Sequence, residues 1–207
     1  MVSFVYFDVG GVVVLDFSGT DKWDQLKKEI GISKSKDAKF ESFWDRYEPK
    51  VNAGQDVETL LPLIKIKFGS KLPEDYSLLI DGFVKRFEAN RSIWPVIEKI
   101  HKKCKIGLLT NMYPHMLEAI KNRKLLPKIK WDIIIDSSVE GITKPDSKIF
   151  KIAEKRSGFK ENNILFVDNS QKNIEAAMVH GWQVFLYDSA HPKEESRRLL
   201  ESFKWSL

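Results

Sequence analysis

Residues with reactive or ligand-binding side chains stand at the ends of successive apolar runs in this 207-residue sequence. The set combines carboxylates, amides, a hydroxyl and an ammonium: Asp8 after the first run, Thr110 and Asn111 after the second, Lys144 in the loop after the third, and Asp168 and Asn169 after the fourth. Such groups can form ion pairs and hydrogen bonds with a polar ligand. Each residue alone has an ordinary structural explanation, such as a turn or a helix cap. Their recurrence at successive run ends predicts a functional site.

The apolar runs are the elements that would position this site. Five of them are short, continuous and rich in β-branched or aromatic residues: 3–7, 105–109, 132–135, 163–167 and 183–187. Continuous apolar runs are typical of strands that are buried on both faces of a parallel sheet. Helical patterns separate the later runs, which predicts an α/β fold with a doubly wound parallel sheet. The carboxyl ends of its strands would lie along one edge, where ligands bind in such sheets.

The residues between the first and second runs have a different, helical pattern. A helix is predicted over 20–30, with Thr20 as its N-cap and Gly31 after its last residue. Four aromatic residues then recur at helical spacing: Phe40, Phe43, Trp44 and Tyr47. This stripe predicts one apolar helix face, and it favours a packed core over a substrate pocket.

A division of the chain follows from this change of pattern. A further helix is expected over 56–68, where Pro62 would kink or divide it. We predict a helical segment over 17–91 with a small core of its own, the alternative being helices that pack directly on the sheet. Residues 1–16 and 92–207 would form the domain that carries the sheet.

The composition excludes several classes of protein. A hydrophobic fraction of 43% with 12% aromatic residues excludes a disordered or low-complexity chain. Cys104 is the single cysteine, which excludes a disulfide framework and a cysteine-based zinc cluster. The net charge of +5 comes from basic residues that are spread along the chain, whereas a nucleic-acid-binding protein concentrates them on one element.

The apolar N-terminal stretch, residues 1–15, raises the question of a signal peptide or a membrane anchor. It lacks a basic segment and a small-residue cleavage site, and Asp8 and two glycines interrupt it. We therefore expect a cytoplasmic protein with neither a membrane nor a nucleic-acid partner. The oligomeric state stays open.

Four short motifs occur in order along the chain. They are Phe7-Asp8-Val9-Gly10-Gly11-Val12, Leu108-Leu109-Thr110-Asn111, Lys144-Pro145-Asp146 and Phe166-Val167-Asp168-Asn169. With these motifs the chain resembles the haloacid dehalogenase (HAD) superfamily of phosphatases and related hydrolases. Its Asp-x-Gly first motif is similar to that of the capped, glucose-1-phosphate phosphatase-like branch. The resemblance implies a Rossmann-like core with an α-helical cap inserted after the first strand.

The resemblance also implies how the predicted site would work. Asp8 would be the nucleophile, and it would form an aspartyl-phosphate that water later hydrolyses. Lys144 would neutralise the charge of the nucleophile and of the phosphoryl oxygens. Together with Lys144, Thr110, Asn111 and the adjoining backbone amides would bind the phosphoryl group of a small, sugar phosphate-like metabolite.

A magnesium ion is the cofactor that the resemblance implies. Its ligands would be the Asp8 carboxylate, the backbone carbonyl of Gly10, Asp168 and Asn169. Many relatives carry a second aspartate where this chain has Asn169, and an amide oxygen brings no charge. We therefore expect weaker Mg²⁺ binding than in those relatives.

Gly10 is the second departure from the family pattern. The family's phosphatases usually carry an aspartate here, and it protonates the leaving oxygen as a general acid, a function typically worth about 10²–10⁴-fold in rate. Without it the rate should depend steeply on the leaving group, and Gly10→Asp should help poor leaving groups. Asp16, where the core would hand over to the cap, is a possible substitute acid, although a turn or hinge explains it more readily.

Two other functions remain open alternatives. A 2-haloacid dehalogenase would use the same aspartate on carbon without a metal, but neither Arg46 nor Arg86 in the helical segment lies in a recognisable motif for the substrate carboxylate. A catalytically impaired member would bind a phosphorylated ligand or a protein partner instead.

Overall fold

The computed structural model describes residues 2–205 of the chain. Its strands are β1 (Phe4–Phe7), β2 (Val14–Leu15), β3 (Glu88–Ala89), β4 (Lys105–Thr110), β5 (Ile133–Asp136), β6 (Ile164–Asp168) and β7 (Gln183–Leu186). Its α-helices are α1 (Lys22–Glu29), α2 (Asp37–Asn52), α3 (Leu60–Phe68), α4 (Trp94–His101), α5 (Met116–Asn122), α6 (Ser137–Glu140), α7 (Ser147–Ser157), α8 (Gln171–Val179) and α9 (Pro192–Trp205). Within residues 2–205, no helix combines the length and apolar character that crossing a membrane requires.

Five strands form a parallel sheet in the order β5-β4-β1-β6-β7. The five predicted strands are all present, with ends that differ from the predicted ranges by one residue or none. The central strand β1 is completely buried, as its continuous apolar sequence predicts. The residues that follow β1, β4 and β6 therefore meet at the middle of one sheet edge.

The two faces of the sheet are both covered, which confirms the doubly wound α/β fold. Side chains alternate along β1, so that Phe4 and Tyr6 pack on the face that is covered by α7 and α8. Val5 and Phe7 pack on the opposite face, against a larger cluster that includes apolar residues of α4, α9 and the helices before β3.

The segment between β2 and β3 is helical, with boundaries that differ from the predicted ones. The first helix begins at Lys22, whose N–H donates to the Thr20 hydroxyl at 3.3 Å, and Asp21 takes the N-cap position. The predicted helix over 56–68 is divided into a 3₁₀-helix at Val57–Thr59 and α3. Pro62 lies in the first turn of α3, where a missing N–H removes no helical hydrogen bond. The last part of the segment contains a π-helix at Leu78–Phe83 and a 3₁₀-helix at Val84–Arg86.

The two connections of this segment to the sheet run side by side. Strand β2 pairs with β3 in antiparallel orientation, with Val14 opposite Ala89. The buried residues of the segment, however, belong to the same cluster as one face of the sheet. The division into 17–91 and a domain formed by 1–16 and 92–207 therefore stays a prediction, and residues 1, 206 and 207 lie outside the described part.

Asn90 connects the end of the helical segment to the sheet through hydrogen bonds. Only 2% of Asn90 is exposed, and its Nδ2 donates to the Val12 carbonyl at 2.7 Å and to the Tyr187 hydroxyl at 2.9 Å.

We expect Asn90→Ala to lower the free energy of unfolding by about 1–3 kcal/mol, because the buried acceptors lose their donor. Urea unfolding measures this cost, with Asn122→Ala at the exposed end of α5 as the control. Equal stability of the two variants would show that the hydrogen bonds of Asn90 do not stabilise the fold.

Candidate active site

Three charged side chains meet at the carboxyl edge of the sheet. Asp8 follows β1, Asp168 ends β6, and Lys144 lies in the loop between α6 and α7. The Nζ of Lys144 lies 3.1 Å from Oδ1 of Asp8 and 2.6 Å from Oδ2 of Asp168. It also donates to the Leu109 carbonyl at 2.9 Å. The structure thus brings the predicted nucleophile, lysine and second carboxylate into direct contact.

Burial and charge act in opposite directions on this cluster. Burial raises the pKa of Asp8 to about 7, while the charge of Lys144 opposes this shift and Asp168 adds to it. Burial lowers the pKa of Lys144, but the two carboxylates outweigh burial and the net pKa of the lysine is raised. The two carboxylates thus favour the charged form of Lys144, and the charge of Lys144 favours the ionised, nucleophilic form of Asp8.

Asn111 positions the backbone of Lys144. The Nδ2 of Asn111 donates to the Lys144 carbonyl at 2.9 Å, and its Oδ1 accepts the Lys144 N–H at 2.8 Å. The next peptide bond, between Lys144 and Pro145, is cis. Since the Asn111 amide is occupied in this pair, its contact with a phosphoryl group stays a prediction. The same holds for Thr110, which is fully buried and whose hydroxyl helps to lower the pKa of Asp8.

Asn173 is a residue of the site that the sequence reasoning did not assign. Its Nδ2 lies 3.2 Å from Oδ1 and 3.1 Å from Oδ2 of Asp168, so it donates to the carboxylate from the first turn of α8. The N–H of Ser170 adds a hydrogen bond of 2.7 Å to Oδ1. The feature of the sequence that could have identified Asn173 is its position as a polar residue beside Ile174 on the buried face of α8.

Asn169 forms hydrogen bonds with residues that follow β2 and β7, and within residues 2–205 it forms none with the charged cluster. Its Nδ2 donates to Ser18 at 3.0 Å and to Ser189 at 3.1 Å. Gly11 has a φ of +74°, and a Cβ there would come within 2.1 Å of the Asn169 amide nitrogen. Only glycine suits both the backbone and this contact. The predicted contact of Asn169 with a metal stays a prediction.

A cavity of about 630 Å³ borders the charged cluster at Lys144, which is one of its lining residues. The sheet edge contributes backbone and polar groups to its floor: Val9, Gly10, Asn111, Lys144, Ser170 and Asn173. The helical segment contributes mainly aromatic rings and carboxylates: Phe17, Trp23, Glu41, Trp44, Asp45, Glu48, Phe83 and Phe87. The predicted aromatic stripe thus has two functions, because Phe40 and Phe43 are buried in the core whereas Trp44 also lines the cavity.

Asp16 lies at the wall of this cavity, where the chain leaves β2. Its Oδ1 accepts the N–H of Ser18 at 2.8 Å, which closes a short turn. Burial raises the pKa of Asp16, and the hydrogen bonds from Ser18 oppose the shift. The turn that the sequence suggests for Asp16 is therefore present, and its second oxygen, Oδ2, faces the loop after β1.

Known proteins are similar to this chain in sequence. A family model described as haloacid dehalogenase-like hydrolase matches residues 4–181. The chain is 28% identical over 111 residues to an (S)-2-haloacid dehalogenase from Pseudomonas fluorescens, and the match spans 48% of this chain and 48% of that relative. The match thus covers about half the length of either protein.

Solved structures agree with the chain over a larger part of its length. A predicted HAD-like family hydrolase from Porphyromonas gingivalis superimposes with a TM-score of 0.73, at 22% identity over 91% of this chain and 92% of the other. A HAD family enzyme from Bacteroides thetaiotaomicron, in complex with magnesium and inorganic phosphate, gives a TM-score of 0.70 at 17% identity over 91% and 96% of the two chains. At this level of sequence identity, the similarity shows a shared fold only.

Proposed function

The chain belongs to the haloacid dehalogenase-like hydrolases, and from this premise we propose that it is a Mg²⁺-dependent phosphatase of small phosphomonoesters. The observation that carries the proposal is the buried contact between Lys144 and the Asp8 carboxylate beneath the cavity. A carboxylate nucleophile and a phosphate ester repel each other. An ammonium that is fixed against the nucleophile lowers this repulsion and so favours phosphoryl transfer.

The groups around Asp8 fit a bound Mg²⁺. Asp8 and Asp168 offer carboxylate oxygens, and the Gly10 carbonyl accepts no hydrogen bond from residues 2–205. Mg²⁺ prefers a few hard oxygen ligands of this kind and completes its coordination with water and phosphate. When bound, the ion would neutralise charge on the phosphoryl oxygens. The magnesium and phosphate bound by the similarly folded B. thetaiotaomicron enzyme support this part of the proposal.

The reaction would proceed through an aspartyl-phosphate on Asp8. One carboxylate oxygen attacks phosphorus, and the bond between phosphorus and the ester oxygen breaks. The N–H of Val9 donates to Oδ1 of Asp8 at 2.7 Å, so the carboxylate is held in one orientation during the attack. Lys144 stays fixed by the Leu109 carbonyl throughout. Water then hydrolyses the intermediate and releases phosphate.

The cavity favours a small polyol, such as a sugar, as the part of the substrate that carries the phosphate. Aromatic rings such as Trp23 and Trp44 can stack on the apolar faces of a sugar, while the Glu48 carboxylate can accept hydrogen bonds from its hydroxyl groups. Such a metabolite, rather than a nucleic acid or a membrane, is the partner that we propose, and the cytoplasm is the location.

A phosphate-release screen tests the proposed function. Sugar phosphates and p-nitrophenyl phosphate are incubated with the purified protein, with Mg²⁺ and with EDTA. We expect phosphate release that requires Mg²⁺. Absence of release from every ester would contradict the proposal and favour a protein that only binds a phosphorylated ligand.

A 2-haloacid dehalogenase is the second candidate, because the P. fluorescens relative has that activity. Its substrate carries a carboxylate, which an arginine in the pocket would bind through two parallel hydrogen bonds. Arg86 is occupied by Glu29 and by two backbone carbonyls, and neither it nor Arg46 is among the described residues that line the cavity. We therefore expect no halide release from 2-chloropropionate. Halide release without Mg²⁺ would instead favour the dehalogenase function.

Asn169→Asp should tighten Mg²⁺ binding severalfold. The substitution adds a negative charge next to Asp168, and hard cations favour charged oxygen ligands. Titration of Mg²⁺ against phosphatase activity, and against thermal stability, gives the apparent dissociation constant. Asn162→Asp, at an exposed position before β6, is the control for a general effect of charge. An unchanged or higher dissociation constant for Asn169→Asp would show that residue 169 does not face the metal.

A further inference from the structure

The Asp16 carboxylate fills the space that a side chain at Gly10 would occupy. A Cβ built on Gly10 would lie 2.5 Å from Oδ2 and 3.4 Å from Cγ of Asp16. The φ of Gly10 lies outside the left-handed region, so its backbone does not demand glycine. The close approach of Asp16 favours it, because a Cβ at residue 10 would collide with Oδ2 unless the carboxylate moved.

The position of Asp16 is determined by its neighbours on both sides. Strand β2, directly before it, is held by its pairing with β3, and the N–H of Ser18 fixes Oδ1. Oδ2 is therefore the oxygen that points to Gly10, two residues after the nucleophile Asp8. Gly10, Asp16 and Lys144 all line the same cavity.

We infer that Asp16 is the catalytic acid and base of this enzyme, and that it supplies from the start of the helical segment the carboxyl group that the first motif lacks. The inference rests on the proposed phosphatase function. Of the groups beside Gly10, the Asp16 carboxyl is the one that can exchange a proton with the ester oxygen of a phosphate held at Asp8.

The proton transfers balance over the two halves of the reaction. When Asp8 attacks phosphorus, the electron pair of the breaking phosphorus–oxygen bond passes to the ester oxygen, which takes the proton of Asp16 and leaves as an alcohol. Asp16 is then a carboxylate. It accepts a proton from the water that attacks the aspartyl-phosphate, phosphate departs, and both aspartates return to their starting states.

This assignment changes the result that we expect for Gly10→Asp. That substitution should not help poor leaving groups in the parent chain, because its Cβ collides with Oδ2 of Asp16. The parent should also hydrolyse alkyl phosphates well, since its acid is present at another position of the sequence.

The decisive measurement compares good and poor leaving groups in Asp16→Asn. Asparagine keeps the acceptor for the Ser18 N–H but has no carboxyl proton. We expect kcat/KM for a sugar 6-phosphate to fall by about 10²–10⁴-fold, and kcat/KM for p-nitrophenyl phosphate to fall by less than about tenfold. Asp75→Asn, an exposed carboxylate of the same segment outside the cavity, is the matched control and should change neither rate.

A double variant that moves the carboxyl group from residue 16 to residue 10 distinguishes a loss of catalysis from a loss of folding. In the double variant Gly10→Asp and Asp16→Gly, the collision is relieved and a carboxyl returns to the same space from the other side. We expect it to recover at least about a tenth of the sugar 6-phosphate activity that is lost in Asp16→Gly alone. If Asp16→Asn loses activity equally on both esters, or if the double variant recovers nothing, Asp16 is not the proton donor.

The outcomes also distinguish this inference from the proposed function. A parent that releases phosphate with Mg²⁺ while Asp16→Asn keeps the parental ratio of ester rates would overturn the inference alone. A parent without activity on any ester would overturn both.

Discussion

Asp8→Asn should abolish phosphate release while the fold stays intact. The substitution keeps the shape of the side chain but removes the nucleophilic oxygen charge, so kcat should fall by at least about 10⁴-fold. Rates on p-nitrophenyl phosphate measure the loss, because this ester needs little help from an acid. The far-ultraviolet circular dichroism spectrum should match that of the parent, since Lys144 keeps its contacts with Asp168 and the Leu109 carbonyl.

The covalent mechanism predicts a second observation for the same residue. Rapid denaturation during turnover should trap a phosphorylated form of the parent, and this form should be missing from Asp8→Asn. A value of kcat within about tenfold of the parent value would rule out Asp8 as the nucleophile, because the loss of a nucleophile costs far more.

Lys144→Met should both inactivate and destabilise the protein. Methionine fills a similar volume but leaves the buried Asp8 and Asp168 without their shared cation. Removing one partner of a buried ion pair costs about 3–5 kcal/mol, so the free energy of unfolding should fall by about that amount. Urea unfolding without added Mg²⁺ measures the effect, and phosphate release should drop below detection.

Lys172→Met provides the control for this prediction. Lys172 also lines the cavity, but it is exposed and makes no ion pair within the described residues. Its loss should change the free energy of unfolding by about 0.5 kcal/mol or less. Equal effects of the two substitutions would mean that the charge of Lys144 does not hold the two carboxylates together.

The sheet and the charged cluster could be predicted because both follow from local sequence. Buried parallel strands require continuous apolar residues, and the five runs carry them within one residue of the observed strands. Asp8 and Asp168 come directly at strand ends, and parallel order brings these ends together. The helical segment was harder to predict, because the N–H groups at the start of the π-helix Leu78–Phe83 donate to Glu58, a residue about twenty positions earlier in the chain.

The position of Asp16 could not be predicted from spacing. Its approach to Gly10 depends on how the chain turns between β1 and β2, where Val12, Val13 and Val14 donate to the carbonyl of Val9. A sequence pattern records that Gly10 lacks a side chain but not which neighbour occupies the space. Asn173 is an intermediate case, because a polar residue on a buried helix face implies a buried partner without identifying it.

The antiparallel pair of β2 and β3 has a consequence for how such a protein can be remodelled. Since Val14 stands opposite Ala89, the chain enters and leaves the helical segment at neighbouring points, which are separated by one strand spacing of roughly 5 Å. Whatever lies between these points can be exchanged for another helical module by a recombination that leaves the parallel strands and their register untouched. A new module would have to bring its own apolar surface for the face of the sheet that the present segment covers. Modules could therefore be swapped for specificity, provided that the graft starts after residue 16.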